Sequence, residues 1–119
     1  MNTAWEQLQG ATLTLARSGP IKDRLTDAYR KHLSYIAEDD LPKELREDFR
    51  AVNHSLTRER PLLRGEDAFR ATIRKISCNE AEEIATSVVM IFSSIPRGYS
   101  SPMRPTSAAQ IVPLYIAEA

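Results

Sequence analysis

Apolar residues recur at helical spacing through most of this chain and predict five helices. The clearest pattern runs from residue 77 to residue 95, where seven apolar side chains repeat every three or four positions before a proline ends the helix. Ser77 and Glu80 stand in the S-x-x-E spacing of a reciprocal capping box. Val89 and Met90 widen the stripe until the last turns are apolar nearly all round. This pattern is typical of a helix that is central in a bundle or buried in a partner.

Four shorter helices are predicted ahead of this one. We expect them over about residues 2–17, 20–37, 42–57 and 66–76, with Thr3 as a cap of the first and Glu66 or Asp67 beginning the fourth. The third has the most regular inner row, formed by Leu45, Phe49, Val52 and Leu56. Residues 58–65 contain a proline and a glycine and are expected to form a loop.

The chain changes character at residue 96. Prolines at positions 96, 102, 105 and 113 exclude a regular helix, and residues 111–116 are strongly apolar and β-prone. We interpret residues 96–119 as an extended Pro/Ser-rich tail that docks on the bundle or on a second subunit. The predicted fold is therefore all-α, a four- to five-helix bundle over residues 1–95 followed by this tail.

Composition narrows the class of protein. The 119 residues carry 16 basic and 16 acidic side chains, so no overall field recruits nucleic acid or anionic lipid. The single cysteine gives no sign of an oxidising compartment. The first residues lack the pattern of a signal peptide, and no apolar run approaches the roughly 20 residues that cross a bilayer. We expect a cytoplasmic protein without membrane association.

Residues suited to catalysis or metal binding are sparse. His32, His54 and Cys78 are the only histidines and cysteine, and they fall in no metal-binding motif. His32 lies on the predicted inner face of the second helix, where a packed and hydrogen-bonded ring is expected. Cys78 would begin the last helix, whose dipole lowers a thiol pKa, but no base is placed beside it by the sequence. The sequence therefore predicts no metal, no cofactor, no catalytic residue and no enzymatic activity, and an enzyme with a site hidden between the helices is the third interpretation.

A cluster of basic residues supports an alternative hypothesis. Arg58, Arg70, Arg74 and Lys75 are candidate nucleic-acid contacts within an arginine-rich region over residues 46–75. The same side chains could instead pair with neighbouring acids on a solvated face. Because the total charge is balanced, nucleic-acid binding is the second interpretation.

Partner binding has the strongest physical motive. Four or five short helices cannot easily hide all the apolar side chains near the carboxyl end, and exposed apolar patches usually mark interfaces. The candidate interface residues are Val89, Phe92, Ile95, Ile111, Leu114 and Tyr115. Two arrangements stay open, a homodimer with the tail laid across its neighbour and a monomer wrapped by its own tail. The sequence thus predicts a small non-enzymatic adaptor or regulatory protein that acts through protein–protein contacts.

Overall fold

The structure is a computed structural model that describes residues 3–100, and these residues form an all-α fold. Its five helices are α1 (Ala4–Leu15), α2 (Ile21–Lys31), α3 (Lys43–Leu56), α4 (Ala68–Lys75) and α5 (Cys78–Ser94). Two short 3-10 turns, Leu33–Tyr35 and Glu38–Asp40, connect α2 to α3. No strand occurs within residues 3–100. The predicted fold class is confirmed, whereas most of the predicted tail lies outside the described residues.

Helix α5 is the central element of the bundle. It packs against α1, α2 and α3, while α1 also packs against α2 and α4 against α3. Its inner stripe is buried and consists of Ala81, Ile84, Ala85, Val88 and Ile91. Because its apolar residues recur at helical spacing and form a wide stripe, this one helix can pack against three others. None of the helices in residues 3–100 combines the length and apolar character needed to cross a bilayer.

The helix starts follow the predicted caps with one correction. Thr3 and Glu6 form a reciprocal capping box at α1, in which each side chain accepts from the backbone N–H of the other residue. At α5, Ser77 Oγ accepts from the Glu80 N–H at 3.0 Å, as predicted. The second half of that box was predicted wrongly, because the Glu80 carboxylate accepts instead from the Arg58 guanidinium.

The predicted length of α2 was also wrong. The helix ends at Lys31 rather than near residue 37, because His32 leaves the helical conformation at φ −133° and ψ −60°. The His32 ring packs directly over Gly10 of α1, and its Nδ1 lies 3.1 Å from Gln7 Oε1. A tertiary contact with α1 therefore accompanies the end of α2, and His32 is the packed, hydrogen-bonded residue that was expected.

Side-chain contacts join α2 to α4. Tyr29 and Phe69 stack almost in parallel, with ring centroids 4.2 Å apart. The Arg30 guanidinium lies over the same Phe69 ring and donates two hydrogen bonds, of 2.8 and 3.1 Å, to the two carboxylate oxygens of Asp67. Asp67 also caps α4 by accepting from the Arg70 N–H at 2.9 Å. These contacts fix α4 and the loop before it on the body of the bundle.

The contact between Gly10 and His32 predicts that Gly10→Ala changes the stability of the fold in opposite directions, depending on whether residue 32 is histidine or alanine. A Cβ added at Gly10 would clash with Cε1 of the His32 ring, so Gly10→Ala forces the ring to move. We expect Gly10→Ala to lower the free energy of unfolding by about 1–3 kcal/mol in the natural chain. In a His32→Ala background the same change should raise it by about 0.5–1 kcal/mol, because alanine is the better helix former.

Urea unfolding of the natural chain, Gly10→Ala, His32→Ala and the double variant, followed by far-UV circular dichroism, measures both free-energy differences. Stabilisation by Gly10→Ala in both backgrounds would contradict the proposed packing of the ring.

Candidate protein-interaction groove

A groove runs along the surface between α3 and α5. Its volume is about 460 Å³, and it follows α5 from the first turn to the last. It is lined by Asp48, Ala51, Val52, Ser55, Glu80, Glu83, Ile84, Thr86, Ser87, Met90, Ile91 and Ser94. Five of these side chains are Ala, Ser or Thr, and small residues at this position leave the two helix backbones accessible to a bound chain.

The groove has an apolar floor and one prominent apolar side chain on its edge. Val52, Ile84 and Ile91 belong to the core and form the floor with their outermost atoms. Met90 stands on the edge with 61% of its surface exposed. An exposed methionine on a groove edge is an adaptable apolar contact, because the thioether chain can take several rotamers.

Most polar groups of the groove are hydrogen-bond acceptors. Thr86 and Ser87 donate their hydroxyl protons to the Glu82 and Glu83 carbonyls, and Ser94 donates to the Met90 carbonyl at 3.0 Å. Their lone pairs therefore face outward, beside the carboxylates of the acidic lining residues. None of the lining residues within the described part of the chain is basic. The wall consequently favours a ligand that supplies donors and positive charge.

The acidic character extends past the groove toward the start of α5. A smaller depression shares Glu83 and Thr86 with the groove and adds Asn79 and Glu82. Among the acids of the two depressions, Glu80 is neutralised by Arg58. No ion pair within residues 3–100 involves Asp48, Glu82 or Glu83.

The predicted interface residues fall in different places. Val89 is partly exposed but does not line the groove, and Phe92 is half-buried with its ring 5.7 Å from that of Trp5. Ile95 is only 5% exposed and packs in the chain's own core, so its side chain is not on the surface of this subunit. Ile111, Leu114 and Tyr115 lie outside the described residues.

The predicted nucleic-acid contacts are mostly paired with acids. Arg58 binds Glu80 and approaches Glu59, whose other oxygen lies 3.6 Å from Lys75 Nζ. Arg74 binds Glu66 through two hydrogen bonds of 2.9 and 3.0 Å. Arg70 is exposed, and within residues 3–100 it takes part in no ion pair. Three of the four predicted contacts are therefore engaged in local salt bridges.

Two carboxylates in this region have strongly lowered pKa values. Arg74, helped by the backbone N–H groups of Leu62 and Leu63, lowers the pKa of Glu66 to about 2. The Arg30 guanidinium, followed by the Arg70 N–H, lowers the pKa of Asp67 to about 2. Both carboxylates stay ionised at any ordinary pH and hold the loop before α4 in place.

The remaining candidates for chemistry are separate from the groove. The partial burial of His32 lowers the pKa of its imidazole, so the ring is neutral near pH 7. Cys78 is exposed at the start of α5. Within the part of the chain that the structure describes, no cluster of three His, Cys, Asp or Glu residues could hold a metal ion.

Sequence reasoning identified Val89 and Met90 but missed the groove itself. The groove depends on the small residues Ala51 and Ser55 of α3 lying opposite Ser87 of α5. The four-residue step between Ala51 and Ser55 is visible in the sequence. Which faces meet is decided only by the packing of the two helices.

No family model, no curated protein and no solved structure matches this chain. Its function must therefore be inferred from its own residues.

The ion pair between Asp67 and Arg30 gives an acid-stability prediction. Because folding lowers the pKa of Asp67 from 3.8 to about 2, the pair stabilises the fold above pH 4 and this contribution disappears as the pH falls toward 2. Asp67→Asn keeps an oxygen for the Arg70 N–H but removes the charge. Since both partners are about half exposed, we expect a loss of no more than about 1 kcal/mol at pH 7.

Chemical denaturation from pH 7 to pH 2 measures this difference. The two stability curves should converge below pH 3, and a constant gap down to pH 2 would contradict the assigned role of the ion pair.

Proposed function

We propose that this chain is a small non-enzymatic cytoplasmic adaptor or regulatory protein that acts through protein–protein contacts, and that the α3–α5 groove is its contact surface. The observation that carries the proposal is the combination of an apolar floor, the exposed Met90 edge and an acceptor-rich, acidic wall in one continuous surface. Such a surface is suited to a chain with apolar anchors and basic side chains.

The geometry supports a macromolecular ligand over a small one. The groove is open along its length, and a small-molecule site normally encloses most of its ligand. Its small lining residues permit close approach of another backbone, and its length matches the 17-residue helix α5, about 25 Å. These features favour an elongated protein segment as the ligand.

Site-specific photo-cross-linking in the producing cell tests the proposal. A benzoylphenylalanine side chain introduced at Met90 should give adducts of defined mass, because this position stands on the groove edge. The matched control carries the same side chain at Tyr35, which is also exposed but lies in the turn after α2. Asp48→Lys with Glu83→Lys should remove most of the Met90 adducts.

Equal adducts from Met90 and Tyr35, or none from Met90, would argue against the groove as a contact surface. Adducts that persist unchanged in the Asp48→Lys, Glu83→Lys chain would argue against the role of its charge.

Nucleic-acid association is the second candidate, and it is favoured by Arg70, which is exposed and forms no ion pair with any residue of the described range 3–100. Because Arg58, Arg74 and Lys75 already contact carboxylates, we expect no binding of random DNA or RNA at about 150 mM salt. Fluorescence anisotropy with labelled oligonucleotides at low and moderate salt measures this. Salt-dependent binding that is lost on Arg70→Ala with Arg74→Ala would favour the nucleic-acid function instead.

A further inference from the structure

The loop between α3 and α4 displays two leucines to solvent. Leu62 is 66% exposed and Leu63 is 60% exposed, and they are adjacent in the chain. Two exposed leucines side by side are costly in water, since each leaves a large apolar surface uncovered. We therefore expect these two side chains to be covered by a partner surface.

This loop is held in one conformation by its anchors. The Glu66 carboxylate accepts from the N–H groups of Leu62 and Leu63 at 3.3 and 3.4 Å, and Arg74 clamps the same carboxylate. At the other end, the Glu59 N–H donates to the buried Thr72 hydroxyl at 3.0 Å. A loop that is ordered before binding loses little conformational entropy when it docks.

The leucines are flanked by positive charge. Arg60 and Arg64 are exposed on either side of the pair, and no ion pair within residues 3–100 involves them. This contrasts with Arg58 and Arg74, which are both bound to carboxylates. The leucine loop, residues 60–64, therefore combines an apolar tip with two guanidinium groups that offer donors.

The leucine loop and the α3–α5 groove are complementary in charge, polarity and hydrogen bonding. We infer that the leucine loop of one chain inserts into the groove of a second copy, with Leu62 and Leu63 on the apolar floor and Arg60 and Arg64 against Asp48 and Glu83. This inference rests on the proposed function and names its partner. If the insertion is mutual, the contact closes as a two-fold symmetric dimer in which both loops are covered.

The chain's own carboxyl-terminal segment is a less direct occupant of the groove. After α5, Arg97 lies over the Trp5 ring of α1 at 5.8 Å, and Tyr99 packs on the core. The chain thus leaves the described region beside α1, whereas the groove lies between α5 and α3.

Sedimentation equilibrium of the full chain at low salt is the first test. We expect a species of twice the 13.4 kDa chain mass that dissociates as salt is raised. Leu62→Ser with Leu63→Ser should raise the dissociation constant at least about tenfold, since both apolar anchors are lost. The matched control, Leu13→Ser, removes an equally exposed leucine from α1 and should leave the dissociation constant unchanged.

Charge reversal gives the more specific test. Arg60→Glu with Arg64→Glu, and separately Asp48→Lys with Glu83→Lys, should each weaken the dimer. A chain that carries all four changes should recover it, because the charges across the contact are again opposite. Failure of this recovery, with all chains folded by circular dichroism, would overturn the inference.

Other occupants of the groove give different results. A dimer that survives the loop changes but is lost on Ile111→Asp with Leu114→Asp would assign the contact to the carboxyl-terminal segment. A chain that is monomeric at all concentrations, or a monomer whose leucines bind vesicles of anionic phospholipid, would overturn the second-copy inference. A Met90 cross-link to a protein of another mass, without a dimer, would also overturn it while supporting the proposed function.

Discussion

Burial of the α5 stripe between three other helices is the interaction on which the structure depends. Val88 and Ile91 are almost completely enclosed, and the same helix exposes Met90 and Ser94 on the side of its circumference that faces the groove. A single 17-residue helix therefore supplies both the centre of the core and one wall of the groove. The position of that wall is fixed as firmly as the core itself, because the two faces belong to one rigid element.

Some acidic residues form ion pairs within the chain, and others line the groove. Glu59, Glu66, Asp67 and Glu80 are used within the chain to hold arginines and the loop before α4. Asp48 and Glu83 of the groove have no such partners among residues 3–100, and neither have the arginines that flank the exposed leucines. A balanced total of 16 basic and 16 acidic residues thus conceals two surfaces of opposite sign.

The sequence predicted the elements better than the contacts between them. The rows of α3 and α5 were predicted correctly because each depends only on the spacing of residues such as Phe49 and Val88 along one helix. The end of α2 was missed because it coincides with a contact between His32 and Gly10, which are 22 positions apart. Half of the capping box at α5 was missed because Arg58, from the loop after α3, binds Glu80. The groove was missed because it exists only once α3 and α5 have packed.

The buried hydroxyl of Thr72 joins two parts of the chain. It accepts from the Glu59 N–H and donates to the Ala68 carbonyl at 2.8 Å, so its hydrogen-bonding capacity is shared between the preceding loop and the first turn of α4. With Glu66 and Arg74 completing the connection, neither part can open to solvent without breaking bonds of the other. We therefore expect the loop and α4 to unfold together as one cooperative unit, so that local unfolding exposes both at once.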